Sequence, residues 1–180
     1  MKWHWFLILF FFISCSSDEA VGDQKIVRGF YHWQTEFDPT DEQYGFLNKV
    51  GAEVLYVRFF DLVQDNWDYY PNAEVHADYD LEVPLPIVPT VFITTDVFYN
   101  NDSTAIPRMA ERVADRIKYI NLYDDDAVEE IQFDCDWTPQ IKDKYFYFLT
   151  EVKHYFPEKT ISATIRLYQY KYPELAGVPP

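Results

Sequence analysis

The chain has 180 residues, and its 30 acidic against 15 basic side chains give a formal net charge of −15. So acidic a surface repels phosphate backbones and anionic lipid headgroups, which argues against nucleic acid or a bare membrane face as a partner and favours a neutral or cationic ligand. Aromatic residues make up 19 % of the chain, a supply that suits both a filled core and a sugar-stacking surface.

The N-terminus reads as an export signal. Lys2 precedes the apolar run Trp5 to Ile13, and small residues flank Cys15; this is the order of a charged region, a hydrophobic region and a cleavage site. The nine-residue run falls short of the roughly 20 residues a membrane-spanning helix needs. Phe12-Ile13-Ser14-Cys15 resembles the lipobox of bacterial lipoproteins, with Phe12 where that pattern usually has Leu, and the resemblance implies a lipid on Cys15. An ordinary secretory signal with an incidental cysteine is the alternative. Ser16 does not resemble the Asp that retains lipoproteins on the inner membrane, and Asp18-Glu19 resembles the surface-export signals of Bacteroidetes lipoproteins. The implied location is the outer membrane or cell surface, with periplasmic or secreted as the alternative. Removing residues 1–14, which hold one lysine and no acid, leaves a net charge of −16. Cys135 is then the one free thiol, so packing rather than a disulfide must hold the core. Residues 15–26 read as a tether and 27–180 as one domain.

From Val27 on, strand-like and helix-like runs alternate, the pattern of parallel strands joined by crossover helices. A first strand is expected over Val27–Glu36. Thr40-Asp41-Glu42-Gln43 reads as a capping box opening a helix with Tyr44, Leu47 and Val50 on one face and Gly51 as its stop. Glu53–Asp61 is the second strand. Periodicity then fails between Leu62 and Pro86, an irregular excursion with room for one short helix. Ile87–Thr95 is the third strand, and a helix follows from Ser103 with Pro107 in its first turn and Met109, Val113 and Ile117 on its apolar face. Glu130–Trp137 is the fourth strand. Thr138-Pro139 opens a helix that buries Tyr145, Phe148, Leu149 and Val152 and closes at Pro157. Thr160–Gln169 is the fifth strand.

Five such units resemble the front of a (β/α)8 barrel more than a flavodoxin-like sheet, because polar residues recur on one face of the strand ends. Complete barrels take about 250 residues and rarely under 200, so the expectation is an incomplete TIM-like barrel of about five βα units, or an open α/β sheet of its own design.

Alternation along the fourth strand puts Gln132, Asp134, Asp136 and Thr138 on one face and Ile131, Phe133, Cys135 and Trp137 on the other. The fifth strand does the same with Ser162, Thr164, Arg166 and Tyr168, which brings Arg166 beside the Asp pair. Arg58 on the second strand is a further inward cation. Same-face carboxylates about 7 Å apart in a polar interior need a shared cation or proton; that serves acid–base chemistry and a purely structural ion-pair network equally well.

Asp134-Cys135-Asp136-Trp137-Thr138 resembles the Asp-x-Asp-Trp-Glu signature of chitinase-like family 18 glycoside hydrolases, and also an uncharacterised group of bacterial barrel proteins with an Asp-x-Asp motif at this point; the likeness covers about residues 129–169. It implies a polysaccharide-related role in which Asp136 orients the substrate and Asp134 supports it. The family's catalytic Glu falls on Thr138, whose hydroxyl is no general acid; Thr138 before Pro139 reads as a helix N-cap. Trp33, beside Tyr31, is either a stacking residue or core. Arg58, Arg166, Tyr168 and Trp33 are thus the candidate substrate contacts, and Asp134 and Asp136 the candidate catalytic pair. His32, His76 and His154 lack ligand spacing, Asp124-Asp125-Asp126 lacks a calcium-loop pattern, and no phosphate loop or dinucleotide fingerprint occurs, so no metal or cofactor is expected. The expected partner is a polysaccharide or oligosaccharide, with the membrane reached through the lipid alone. The alternatives are a non-catalytic surface glycan-binding lipoprotein and a truncated product without independent function.

Overall fold

The computed structural model describes residues 26–66, 68–77, 83–120 and 128–180. The expected signal peptide, Cys15 and the Asp124–Asp126 run lie outside the described residues. Among the described residues, six strands and six α-helices follow in the order β1 (Gly29–His32), α1 (Asp41–Val50), β2 (Val54–Gln64), β3 (Tyr69–Asn72), β4 (Ile87–Ile93), α2 (Thr95–Asn100), α3 (Ile106–Tyr119), β5 (Glu130–Cys135), α4 (Lys142–Tyr155), β6 (Thr160–Ala163), α5 (Leu167–Lys171) and α6 (Pro173–Ala176).

The sheet order is β1-β2-β4-β5-β6, with every pair along that path parallel and β3 antiparallel to β2. Each parallel connection joins spatial neighbours, and right-handed crossovers then put the connecting helices on one face of the sheet. That face is the core. Phe59, Val91, Ile131 and Phe133 are shut from solvent. Phe133 meets Phe148 of α4 edge-on at 5.3 Å, and Phe148 meets Phe98 of α2 at 5.9 Å. Met109, Val113 and Ile117 of α3 and Tyr145, Phe148, Leu149 and Val152 of α4 are buried as their spacing predicts.

Local chemistry explains the elements. Thr40 accepts from the Gln43 N–H at 3.3 Å while the Gln43 side chain accepts from the Thr40 N–H at 2.7 Å, closing the expected capping box. Gly51 ends α1 in the left-handed region at φ 68°, which glycine enters without steric cost. Tyr44, Leu47 and Val50 are the half-buried positions of α1, which is otherwise exposed.

Four expectations need correction. The Leu62–Pro86 stretch holds no helix among its described residues: β2 runs on to Gln64 and turns back into β3. The turn is tied by the Asp68 N–H to Asp65 Oδ1 at 2.9 Å, the carboxylate-to-backbone bond that favours turns over helix. A helix not anticipated, α2, sits between β4 and α3; Lys144 of α4 donates to the Phe98 and Asn101 carbonyls at 2.8 and 2.7 Å and satisfies its C-terminal end. Thr138 is not the cap of α4, which starts at Lys142; its hydroxyl instead shares a 2.8 Å bond with Tyr99.

The fourth correction concerns the last strand. β6 stops at Ala163, and Arg166 and Tyr168 belong to the start of α5 rather than to a strand. The buried Gln169 explains the break: its Oε1 accepts from the Arg166 N–H at 2.7 Å and its amide donates to the Trp137 carbonyl at 3.1 Å, drawing the chain into a helical turn. Trp137 in turn donates to the Ala176 carbonyl at 2.8 Å, which fixes α6 over the end of β5.

Candidate functional site

The face opposite the helices is polar, and its side chains stack in levels set by the parallel register. At the base, Tyr31 lies beside Tyr56, with ring centroids 4.8 Å apart. Its hydroxyl donates to Gln132 Oε1 at 2.8 Å. Tyr31 and Gln132 are separated by β2 and β4, so a flat sheet holds their backbones about 14 Å apart; a direct bond between them means the sheet is curled and this face is concave. Burial raises the Tyr31 hydroxyl pKa, the Gln132 bond lowers it, and the charges of Asp134 and Glu130 raise it further. Glu130 accepts from the Ser162 hydroxyl at 2.5 Å.

One level up, Arg58 is aligned with the fully buried Thr90 and, through it, with Gln132. The Trp33 ring lies 5.9 Å from the Arg58 guanidinium and stacks on Tyr31 at 5.8 Å, nearly coplanar at 9°. With 41 % of its surface open, Trp33 caps an aromatic column rather than filling the core.

The next level depends on a β-bulge. Arg58 pairs with Thr90 and Phe60 with Val91, leaving Phe59 as the extra residue. The Phe59 carbonyl accepts from the Val75 N–H at 2.8 Å, so the segment after β3 occupies the gap. Strict alternation puts positions 58 and 61 on opposite faces; the bulge shifts the phase and brings both to the concave one. Asp61 is thereby aligned with Phe92 and, across it, with Asp134. The Asp61 carboxylate sits 3.6 Å from the Arg58 guanidinium, and both side chains are largely covered, at 16 % and 19 % exposure. Burial raises the Asp61 pKa and Arg58 partly offsets it. Asp134 is half-buried and accepts from the Thr164 hydroxyl at 2.5 Å.

At the rim, beyond the end of β5, Asp136 forms an ion pair with Arg166. The pair the alternation predicts is present, reached from a helix start rather than a strand, and the Arg166 side chain is 66 % exposed. Tyr168 is not part of the concave face: it lies on α5, exposed, with its ring tilted against Tyr172 at 5.5 Å. The structure thus brings Trp33, Arg58 and Asp134 onto one face, puts Asp136 and Arg166 at its edge and leaves Tyr168 outside. Sequence reasoning missed Asp61 and Glu130. Glu130 opens the very row of alternating residues that contains Asp134; Asp61 is invisible to alternation because the bulge breaks the period.

Elsewhere, Cys135 is buried on the helix-packed face, and burial with the flanking Asp136 and Asp134 charges raises its thiol pKa, fitting an inert core thiol. His32 bonds the Glu36 carbonyl at 2.9 Å and packs edge-on against Phe37. Among the described residues no group of three or more His, Cys, Asp or Glu side chains is arranged to hold a metal ion, and no helix is long and apolar enough to cross a membrane. No protein-family model, curated protein or solved structure matches the chain.

Proposed function

We propose that this chain is an extracytoplasmic lipoprotein, anchored through Cys15 at the outer membrane, whose curled sheet is the front part of a glycoside-hydrolase-like (β/α) barrel that takes a polysaccharide on its concave face. The observation that carries the reading is the column of Tyr56, Tyr31 and the half-open Trp33, continuous with Arg58, Asp61 and Asp134 toward the C-terminal ends of the strands. Flat aromatic rings offer the apolar faces of pyranose sugars a stacking surface, while carboxylates and a guanidinium meet the hydroxyls. Sequential parallel order with helices on one side supports the barrel, and barrel enzymes bind substrate at that end of the strands. A chain this acidic also suits a neutral glycan better than an anionic one.

Thr138 argues against the family 18 mechanism. The residue in the place of the catalytic Glu is a hydroxyl bonded to Tyr99, and a hydroxyl near neutral pH does not protonate a leaving group.

The test is affinity electrophoresis of the protein against a panel of chitin derivatives, cellulose derivatives, xylan, mannan, starch and laminarin. Retardation by at least one polysaccharide, weakened roughly tenfold or more by Trp33→Ala, is the expected result, a tenfold change being about 1.4 kcal/mol. No retardation by any of the panel contradicts the reading.

A further inference from the structure

We propose that Asp61 is the proton donor of this concave site and Asp134 its general base, an acid–base pair set across Phe92 to hydrolyse a glycosidic bond with inversion. The inference rests on the glycan reading above and adds a reaction to it. The bulge at Phe59 alone puts Asp61 on the face of Asp134, level with it and one strand away on either side of Phe92. Two strand spacings are roughly 9–10 Å, and inverting glycosidases hold their carboxyl groups about 6.5–9.5 Å apart, leaving room for a water.

A second observation points to a ligand at this spot. Asp61 Oδ1 and Arg58 Nε are shut from solvent and have no hydrogen-bond partner among the described residues. The Arg58 guanidinium lies 5.9 Å from the partly open Trp33 ring. Buried polar atoms are ordinarily satisfied, so a pair left unsatisfied on a concave face calls for a bonding group from outside. The surroundings also separate the two acids. Asp61 faces Arg58 on its own strand, Asn72 from β3 and Phe92 from β4; Asp134 lies across Phe92 and takes a hydroxyl bond from Thr164. Burial favours the protonated form of Asp61.

In the step, Asp61 passes its proton to the glycosidic oxygen as the bond from that oxygen to the anomeric carbon breaks. Asp134 takes a proton from water, whose oxygen forms the new bond to the opposite side of the anomeric carbon. The products are a sugar with inverted anomeric configuration and a free hydroxyl on the departing chain. Asp61 is left ionised and Asp134 protonated, and both reset by exchange with solvent. No metal or redox partner enters.

The experiment measures reducing ends released from each polysaccharide of the panel that retards the native protein, with the product anomer followed by proton NMR. Expected are hydrolysis with inversion and a loss of at least about a hundredfold in folded Asp61→Asn, the usual range for a general acid. Asp134→Asn loses activity likewise and regains it in azide, which needs no base, as the glycosyl azide. Carbon NMR titration of the free protein supplies a readout that does not depend on substrate: the Asp61 carboxyl titrates above the ordinary aspartate range, and higher still in Arg58→Gln. Retardation without hydrolysis, a retained anomer, full activity in a folded Asp61→Asn, or an Asp61 carboxyl titrating at or below the ordinary range overturns the proposal while leaving glycan binding intact. Absence of retardation by every polysaccharide defeats both.

Discussion

The two faces of one strand, β5, divide stability from chemistry. Ile131, Phe133 and Cys135 are sealed from solvent, Phe133 against Phe148 of α4, where removing side-chain atoms leaves a cavity. Glu130, Gln132 and Asp134 look the other way, onto a concavity where side chains are held by single bonds from Tyr31, Ser162 and Thr164. A single sequence of alternating residues therefore meets two solvents, and its substitutions should sort by face rather than by residue size.

The largest expected effect is on the helix-packed face. Phe133→Ala, which removes a ring touching Phe148, is expected to cost about 3–5 kcal/mol, read from urea unfolding. On the concave face Asp136→Asn breaks a pair whose arginine is two-thirds exposed, and exposed pairs contribute roughly 0–1 kcal/mol, so the same measurement is expected to move little. Had the pair been deeply buried, as a strand-borne Arg166 implies, the loss would reach about 3–5 kcal/mol.

A smaller effect separates the faces by pH. The folded-state pKa of Asp61 is raised, so between the ordinary aspartate value and the raised one the folded chain holds more protons at this group than the unfolded chain. Its contribution to stability is then greatest at the acid side of that window and falls as pH rises through it. Urea midpoints of wild type and Asp61→Asn across acidic pH should differ by a component of that sign; an equal slope removes the burial from the account. The smallest effect is kinetic: in a Cys15→Ser background, Cys135 is expected to resist a thiol reagent in the folded protein and to react only when the chain unfolds.

How far the sequence was legible follows the same division. The period of 3.6 in α3 and α4 and the capping box of α1 are local signals: α1 appears where its box predicts, and α3 and α4 bury the predicted faces while starting at Ile106 and Lys142 rather than Ser103 and Thr138. The period of two in β5 correctly separated Asp134 from Phe133. What escaped depends on contacts distant in sequence. The bulge at Phe59 exists because Val75 supplies its hydrogen bond, and β6 ends early because Gln169 reaches the Trp137 carbonyl. The first hid Asp61 from the concave face, and the second carried Tyr168 away from it. Lys144 closes α2 from 43 residues away in sequence, so the short helix had no strong local signature beyond Thr94-Thr95-Asp96.

The most direct test of the central claim, that the concave face is a glycan site and the opposite face the core, is polysaccharide retardation and urea stability measured on one sample of Trp33→Ala. The account predicts at least a roughly tenfold loss of retardation with stability changed by less than about 1 kcal/mol, because the ring is half-open and caps its column. A fall in stability of about 3 kcal/mol or more, the cost of emptying a packed core position, with retardation of the folded fraction unchanged, would assign Trp33 to the core and contradict it.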